Sequence, residues 1–288
     1  MNIIVLGASG MLGWTLFRFF SKDQDISTFG TLRSKAQLEF LTTISDVKKE
    51  NFTILDIDIF NKHTNLESLG SFEPDLIINC IGLIKQERSS HDPISAILVN
   101  SLFPHQLSQY CRENSVRLIH FSTDCVFNGN RGNYSESDVP DAYDLYGRSK
   151  LLGEVEGDHA LTLRTSILGH ELQSSRSLVE WFLKSQDEVF GYSNAIFSGL
   201  PTIEIASFIK HFIIPNNSIS GIYHLSSNPI NKYDLLHLIA KSYNKNIRII
   251  SSSDLVVDRS LDCTRLQKAC GYIPKEWPDL INLMRDFG

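Results

Sequence analysis

The sequence predicts an α/β fold, in which a doubly wound parallel sheet is followed by a smaller C-terminal α/β lobe. Two patterns along the 288 residues predict this class. Short apolar segments alternate with segments whose apolar residues recur at helical spacing, and the apolar segments are hydrophobic at nearly every position. Strands of that kind are buried on both faces, as in parallel sheets covered by helices. We therefore expect ligands at the carboxyl ends of the strands.

The individual elements follow from the same patterns. In the first half, the predicted strands are Asn2–Leu6, Ile26–Phe29, Phe52–Ile57, Asp75–Cys80, Val116–Ser122 and Ala160–Arg164, and the predicted helices are Met11–Phe20, Pro93–Cys111 and Tyr146–Val155. In the second half, we predict helices Leu178–Lys184, Ile203–Phe212, Lys232–Tyr243 and Trp277–Phe287, and strands Gly221–Leu225 and Ile247–Ile250. This order places one domain at 1–165 and a mainly substrate-binding lobe at 166–288, with segments such as 202–226 able to pack back on the first domain.

Charge and composition argue against several classes of partner. The net charge of -6 disfavours a nucleic acid or an anionic membrane as a partner, because each would need a basic stripe to bind. No apolar run approaches the roughly 18 residues of a membrane helix, and the segment before Gly7 lacks the basic flank of a signal peptide. The five cysteines are scattered and lack metal-ligand spacing, which indicates reduced thiols and no metal site. We therefore expect a cytoplasmic protein.

A glycine triplet follows the first predicted strand and opens the first predicted helix. The first glycine permits a tight turn, the second lets the backbone approach a pyrophosphate, and the third packs helix against strand. The N–H groups at the helix start can then bind phosphate oxygens. In this context the triplet predicts a Rossmann-type dinucleotide site, although a triplet alone also fits a plain turn. The predicted cofactor-binding residues of this loop are Gly7, Ser9, Gly10, Met11, Leu12 and Gly13.

The end of the second strand favours NADPH over NADH. Enzymes that bind NAD usually carry an acidic residue there, about 20 positions after the glycine loop. The segment from Phe29 to Ser34 has no acid, and the planar guanidinium of Arg33 can pair with a 2′-phosphate. Thr31 and Arg33 are therefore predicted cofactor residues, with a solvated surface charge as the alternative for Arg33. Asp56 and Ile57, which end the third strand, are predicted near the adenine, unless Asp56 is an ordinary turn residue.

Tyr146 and Lys150 are predicted to share one face of a helix, because residues four apart on a helix are neighbours. An ammonium beside a phenol stabilises phenolate, so we expect Lys150 to lower the pKa of Tyr146 and prepare it as general acid or base. Lys150 can also hold the nicotinamide ribose. Thr123, at the end of the fifth strand, can hydrogen-bond a substrate oxygen. The Tyr-x-x-x-Lys spacing is common and by itself would indicate no function. Together with Thr123 and the glycine loop, it predicts proton and hydride chemistry on an alcohol or ketone.

Several stretches together resemble a known family, and they span nearly the whole chain. They are Gly7–Gly13, Ser122–Gly129, Tyr134–Pro140, Tyr146–Glu154, Leu163–Ser166, Gly199–Thr202 and Ser260–Leu266. The chain resembles the extended short-chain dehydrogenase/reductases, and within them the dTDP-4-dehydrorhamnose reductase branch. The resemblance implies NAD(P)H-dependent reduction of a nucleotide-linked 4-keto-6-deoxy sugar, for the synthesis of cell-surface polysaccharide precursors.

The resemblance also implies roles for individual residues. Thr123, Tyr146 and Lys150 match the catalytic three of the family. Asn100 matches a family asparagine on the helix beside the site, which we expect near the cofactor. A homodimer is a further expectation.

The loop after the fourth predicted strand differs in sequence from the same loop of the dTDP-4-dehydrorhamnose reductases. After the fourth strand, where we expect alanines and a tyrosine, the chain has Asn79-Cys80-Ile81-Gly82-Leu83-Ile84-Lys85-Gln86. In the family this loop lines the cofactor and the sugar, so Cys80, Ile81 and Gly82 are predicted at the cofactor. The loop resembles reductases of UDP-linked 2-acetamido-2,6-dideoxy-4-keto sugars, which leaves dTDP- and UDP-linked substrates both open.

Three residues are candidate substrate contacts. Lys85 can meet a phosphate or an acetamido oxygen, or it points to solvent. Asp124 and Cys125 follow Thr123 directly, and a small buried hydrophobe is the alternative for Cys125.

Two other functions remain as alternatives, a 4-epimerase and a regulatory subunit, whereas a 4,6-dehydratase is disfavoured. A 4,6-dehydratase typically carries an Asp-Glu pair after the active threonine, and the glutamate is missing here because Asp124 is followed by Cys125. A 4-epimerase with tightly bound NAD is harder to separate from a reductase. A non-catalytic NADP-binding regulatory subunit is the alternative of another class, and it predicts a damaged Tyr/Lys pair, whereas Tyr146 and Lys150 are both intact.

Overall fold

The computed structural model describes residues 1–45, 47–54, 66–84, 92–172 and 176–288. The first strands are β1 (Asn2–Leu6), β2 (Ser27–Leu32), β3 (Phe52–Ile54), β4 (Leu76–Asn79), β5 (Arg117–Thr123) and β6 (Ala160–Thr165). The later strands are β7 (Ile167–Leu168), β8 (Glu188–Tyr192), β9 (Ala195–Phe197), β10 (Leu200–Pro201), β11 (Gly221–His224), β12 (Ile230–Asn231), β13 (Arg248–Ser252) and β14 (Val257–Asp258).

The α-helices lie between these strands. They are α1 (Met11–Phe20), α2 (Lys35–Ile44), α3 (Pro93–Ala96), α4 (Phe103–Glu113), α5 (Leu145–Leu152), α6 (Leu178–Lys184), α7 (Thr202–Phe208), α8 (Lys232–Ser242), α9 (Thr264–Cys270) and α10 (Trp277–Phe287). Within the described ranges, no helix is both long enough and apolar enough to cross a membrane.

The main sheet confirms the predicted fold class. In the described part of the chain it has seven strands in the order β11-β6-β5-β4-β1-β2-β3. β1 pairs in parallel with both β2 and β4, β2 pairs in parallel with β3, and β4 with β5. The strand order therefore runs outwards in both directions from β1. In a doubly wound sheet the ligand site lies at this change of direction, beyond the carboxyl ends of the strands.

The core beneath this sheet explains why the apolar segments are continuous. Ile4 of β1, Ile77 of β4 and Leu118 of β5 are fully buried in one cluster with Phe103 and Leu107 of α4. Strands covered in this way cannot alternate polar and apolar residues, because both of their faces are buried.

The predicted helix Pro93–Cys111 differs from the observed structure. It is divided into α3, a π-helical segment at Ile97–Leu102 and α4. Single π-turns inside helices are frequent at functional sites because they redirect a side chain. The buried Asn100 lies in this segment. The predicted helix Ile203–Phe212 is similarly divided into α7 and a π-helical segment at Ile209–Ile213.

Contacts between Cα atoms divide the chain into two compact units. Unit 1 comprises Met1–Ser122, Arg148–Thr162 and Ser220–Ile222, and unit 2 comprises Thr123–Gly147, Leu163–Ile219 and Tyr223–Gly288. Unit 2 contains the small sheet β12-β9-β14 and the parallel pair of β13 with β8. The division of domains at residue 165 stays a prediction.

Candidate active site

The glycine loop has the conformation that its three glycines predict. Gly7 has a positive φ of 75°, and its carbonyl accepts a hydrogen bond from the Gly10 N–H at 3.0 Å. A Cβ on Gly13 would collide with the Gly7 carbonyl. α1 begins directly after Gly10, which has no side chain to cap the helix, and its first turn carries no acidic residue. The loop thus leaves room and N–H donors for an anionic group at the start of α1.

Thr31 holds this loop to β2. Its hydroxyl accepts a hydrogen bond from the Gly7 N–H at 3.1 Å, and its carbonyl accepts one from the Ala8 N–H at 3.0 Å. β2 ends later than the prediction, which places the buried Thr31 inside the strand. Thr31 therefore positions the glycine loop. Arg33 follows the strand, its side chain is exposed, and its N–H donates to the Gln37 side chain at 2.9 Å.

The loop after β4 is anchored by Asn100. The Asn100 amide oxygen accepts a hydrogen bond from the Leu83 N–H at 2.9 Å, and its amide nitrogen donates to the Leu83 carbonyl at 3.3 Å. The same nitrogen donates to the Ser149 hydroxyl of α5 at 3.2 Å. One buried side chain therefore joins the loop, the π-helical segment and α5.

The start of the same loop is held by a second amide. The Asn79 oxygen accepts from the Ile81 N–H at 3.0 Å, so its nitrogen is the donor to Nδ1 of the buried His120 at 3.1 Å. Burial and the nearby Lys150 lower the pKa of His120 well below its ordinary value, so His120 is neutral. The predicted cofactor residues Cys80, Ile81 and Gly82 lie between the two amide anchors.

Lys150 is buried in unit 1 beside this loop. Its Nζ donates to the Phe121 carbonyl of β5 at 2.6 Å. A Cβ built on Gly82 would lie 3.7 Å from the same Nζ. Desolvation lowers the pKa of Lys150 to about 8, while Glu154 and Cys80 act in the opposite direction. The Glu154 carboxylate accepts a hydrogen bond from the Ser122 hydroxyl at 2.7 Å.

Thr123 and Tyr146 come together in unit 2. The Thr123 hydroxyl donates to the Asp124 carboxylate at 3.1 Å, accepts from the Cys125 N–H at 3.1 Å and is hydrogen-bonded to the Tyr146 phenol. α5 starts close to this turn because residue 147 is glycine: a Cβ there would collide with the Cys125 carbonyl. Tyr146 stands one helical turn before Lys150 on α5.

The pKa of the Tyr146 phenol differs in direction from the lowered value that the sequence predicts. The pKa of Tyr146 is raised above its ordinary value, chiefly because burial disfavours the phenolate, and Cys125, Asp124 and Asp144 act in the same direction. The hydrogen bond with Thr123 acts in the opposite direction. The i, i+4 spacing could not reveal the desolvation of the phenol, because burial depends on tertiary structure.

Asp124 and Cys125 lie in the same turn as Thr123. Burial raises the pKa of the Asp124 carboxyl, whereas Arg259 and Lys232 lower it. Burial and the Asp124 charge raise the pKa of the Cys125 thiol to about 12, so the thiol stays protonated. Cys125 is therefore an inert small side chain rather than a nucleophile.

Lys232 and Arg259 were missed by the sequence reasoning. Lys232 is the first residue of α8, and Arg259 follows β14. Both are close enough to Asp124 for their charges to shift its pKa. Arg259 directly precedes the family-like stretch from Ser260, which was a signal available in the sequence, whereas nothing in the local pattern marks Lys232.

Three predicted site residues, Asp56, Ile57 and Lys85, lie outside the described residues. Their assignment to the adenine or the substrate stays a prediction. In the ranges that the structure does describe, no group of three or more His, Cys, Asp or Glu side chains could hold a metal ion.

Comparison with known proteins gives matches along the whole chain. The family model described as the RmlD substrate binding domain matches residues 1–286. The probable low-salt glycan biosynthesis reductase Agl14 of Haloferax volcanii is 26% identical over an aligned length of 283, and the match covers 94% of this chain and 89% of the relative. A dTDP-4-dehydrorhamnose reductase of Aggregatibacter actinomycetemcomitans is 26% identical over an aligned length of 257, and the match covers 81% of this chain and 87% of the relative.

A relative with a different name matches equally well. Methionine adenosyltransferase 2 subunit beta of Xenopus tropicalis is 26% identical over an aligned length of 290, and the match covers 92% of this chain and 81% of the relative. Among solved structures, dTDP-4-dehydrorhamnose reductase from Bacillus anthracis in complex with NADP has a TM-score of 0.77 at 19% identity, and the match covers 99% of this chain and 98% of that one. At this identity the structural match supports the fold alone.

Proposed function

The chain belongs to the RmlD substrate binding domain family, the extended short-chain dehydrogenase/reductases that resemble dTDP-4-dehydrorhamnose reductase, and we propose that it reduces the C4 keto group of a nucleotide-linked 4-keto-6-deoxyhexose with NADPH. The observation that carries this proposal is the hydrogen-bonded pair of Thr123 and Tyr146 at the end of β5, with Lys150 one turn further along α5. Two relatives whose names describe reductases support the same reaction class.

The residues of the glycine loop fit a dinucleotide. The space that a Cβ on Gly13 would fill, the positive φ of Gly7 and the uncharged start of α1 suit a pyrophosphate. The exposed guanidinium of Arg33 suits a 2′-phosphate and supports NADPH as the preferred form. When bound, the dihydronicotinamide would supply the hydride for C4 of the sugar.

The protein's own residues supply the proton and the orientation. Thr123 donates a hydrogen bond to the substrate carbonyl in place of its bond to Asp124, and Tyr146 gives its proton to the developing alkoxide. The raised pKa of Tyr146 keeps this proton on the phenol until the alkoxide forms. Lys150, fixed by the Phe121 carbonyl, stabilises the phenolate that remains.

The substrate is a nucleotide sugar linked to dTDP or UDP. The sequence of the loop after Asn79 differs from that of the dTDP-4-dehydrorhamnose reductases. This difference supports a UDP-linked 2-acetamido sugar as one of the two candidate substrates. We place the reaction in the cytoplasm, in the synthesis of a polysaccharide precursor. The reductase named for low-salt glycan biosynthesis supports this role, because its name joins the same chemistry to a glycan.

The match to a methionine adenosyltransferase subunit favours one second candidate. That relative is by name a subunit of another enzyme, and 92% of this chain aligns with it. An NADP-binding subunit of this kind would need the cofactor site but not a proton donor. The intact Thr123, Tyr146 and Lys150 favour the reductase.

The proposal is tested by supplying purified protein with NADPH and 4-keto sugars that a dehydratase generates in place, one linked to dTDP and one to UDP. We expect NADPH oxidation with at least one of them, measured as loss of absorbance at the reduced nicotinamide band. Stoichiometric NADPH consumption distinguishes a reductase from an epimerase, which would recycle its NAD. Absence of turnover with both sugars would contradict the proposal.

Tyr146→Phe tests the role of the phenol. Loss of a general acid lowers turnover by about 10²–10⁴-fold, whereas NADPH binding should stay within about twofold because the glycine loop is untouched. Tyr143→Phe is the matched control, since the Tyr143 side chain lies in the same segment and is 69% exposed. Equal loss of binding and turnover in Tyr146→Phe would indicate a structural role instead.

A further inference from the structure

Lys150 and Glu154 are both hydrogen-bonded to β5, at neighbouring residues of that strand. The Lys150 Nζ donates to the Phe121 carbonyl at 2.6 Å. The Glu154 carboxylate, four residues further along the chain, accepts from the Ser122 hydroxyl at 2.7 Å. All four residues belong to unit 1. A cation and a carboxylate are therefore held to the same short stretch of one strand.

The backbone on both sides of Glu154 is fixed. Gly153 lets the end of α5 lie against the π-helical segment, because a Cβ there would collide with the Asn100 carbonyl. On the other side, the Thr162 hydroxyl of β6 accepts from the Val155 N–H at 3.3 Å and donates to the Val155 carbonyl at 2.6 Å. These contacts fix the backbone from which the Glu154 side chain extends, and the hydrogen bond from β5 fixes its carboxylate.

Four titratable groups face Lys150 from the elements packed around it. Glu154 follows α5, Tyr146 precedes Lys150 by one turn of that helix, Cys80 lies in the loop after β4, and His120 lies on β5. Burial raises the pKa of the Tyr146 phenol and of the Cys80 thiol and lowers the pKa of His120, so all three are uncharged at neutral pH. Of these described groups, the Glu154 carboxylate is the one whose charge then favours the ammonium.

This charge matters because Lys150 is only 6% exposed. An ammonium without its water shell tends to lose its proton, and a buried charge persists when an opposite charge is held nearby. We propose that Glu154, held by Ser122, is a positioning residue whose negative charge retains the ammonium form of Lys150. The inference rests on the proposed function for its kinetic consequence, because there the ammonium stabilises the Tyr146 phenolate. Glu154 acts through Lys150 rather than on the substrate.

Glu154→Gln removes the charge and keeps an oxygen that accepts from the Ser122 hydroxyl. The titration of Lys150 is followed by carbon NMR of protein isotopically labelled at lysine Cε, in which the Lys150 signal is the one that Lys150→Arg lacks. Since loss of an opposite charge lowers the pKa of an amine, we expect the midpoint of about 8 to fall by about one pH unit. Glu156→Gln is the matched control, because Glu156 is exposed two residues further on, and it should leave the midpoint unchanged.

The same shift predicts a loss of activity that depends on pH. The ammonium is present below its pKa and lost above it. A midpoint lower by about one unit therefore lowers kcat/KM for NADPH about twofold near pH 7 and about tenfold near pH 9. A weakened fold would instead lower kcat/KM by the same factor at both pH values. Glu154→Asp keeps the charge and should bring the midpoint back towards that of wild type.

The competing explanation is that Glu154 only joins the end of α5 to β5. The Lys150 midpoint would then be unchanged in Glu154→Gln, because glutamine keeps the bond to Ser122, and that result would overturn the proposal. Ser122→Ala, which releases the carboxylate from β5, decides the question if Glu154→Gln does not fold. A lowered Lys150 midpoint in Ser122→Ala supports the proposal, and an unchanged one overturns it.

The two proposals fail in different ways, because the titration of Lys150 needs no substrate. If Glu154→Gln lowers the Lys150 midpoint but wild type reduces neither keto sugar, the role of Glu154 stands and the reductase assignment fails. If wild type reduces a keto sugar and Glu154→Gln leaves the midpoint unchanged, the reductase stands and the role of Glu154 fails.

Discussion

Replacing Asn100 with leucine tests whether one buried amide holds the loop after β4. Asn100 is 1% exposed and Leu83 is 8% exposed, so water replaces the lost hydrogen bonds poorly. The variant removes both bonds to the Leu83 backbone and the bond to the Ser149 hydroxyl. Leucine has a similar size, so the effect reports the hydrogen bonds rather than a cavity.

The magnitude follows from the groups that lose their partners. A buried N–H or carbonyl without a partner costs about 1–3 kcal/mol. The N–H and the carbonyl of Leu83 both lose a hydrogen-bond partner, and the loop relaxes in part. We therefore expect the free energy of unfolding to fall by about 2–4 kcal/mol. For a chain of this size that corresponds to a fall in Tm of roughly 5–15 °C. Because the displaced loop carries Cys80 to Gly82 beside Lys150, kcat/KM should fall about 10²-fold, as for a displacement of about 1 Å.

Thermal unfolding followed by circular dichroism and steady-state NADPH oxidation measure the two effects. Asn114→Leu is the control, because Asn114 is exposed at the end of α4 and its side chain donates one hydrogen bond, to the Tyr110 carbonyl at 2.9 Å. It should change stability by no more than about 0.5 kcal/mol. An Asn100→Leu protein as stable as wild type would refute the reasoning, since the amide would then not be what holds the loop.

Two further predictions concern charge. Arg33→Gln should lower kcat/KM for NADPH about tenfold and leave that for NADH unchanged, because only NADPH has a 2′-phosphate for the guanidinium; the same loss in Lys35→Gln, two residues away, would show that the effect is unspecific. The pKa of Lys150 is lowered to about 8, so its ammonium is present below that pH and lost above it, and kcat/KM for NADPH should fall as pH rises through about 8. Lys150→Arg keeps its charge and should move this decline to higher pH, and an unchanged profile in that variant would assign the decline to another group.

Much of the fold was predictable because burial leaves a pattern in the sequence. The parallel strands β1 and β4 are buried on both faces, so their hydrophobic residues Ile3–Leu6 and Leu76–Ile78 run without interruption. The bounds of α1, α6 and α10 agree with the prediction to the residue. The π-helical segment around Asn100 was not predictable, because a π-turn keeps nearly the same apolar spacing as the helix that surrounds it.

The candidate site was predictable only where residues are close along the chain. The Tyr146/Lys150 spacing and the glycine triplet lie within single turns or helices, so the sequence alone places their members near one another. Arg259 and Phe127 are 132 residues apart and meet only through tertiary structure. Lys232 could not be predicted for the same reason, since its position near Asp124 depends on a strand pairing that no local pattern indicates.

The protonation state of Tyr146 bears on the direction of the reaction. Burial, Cys125, Asp124 and Asp144 all raise the pKa of this phenol, so the protein keeps its proton in place at neutral pH. Reduction of a ketone starts from a protonated donor, whereas an epimerisation that begins by oxidising an alcohol starts from a base. In the epimerisation, the positive charge of an oxidised nicotinamide would have to offset the desolvation of the phenolate. Reduction requires no such compensation at its start, because the reduced nicotinamide ring is neutral. The electrostatics around Tyr146 therefore favour a proton donor, which is what a 4-ketoreductase needs.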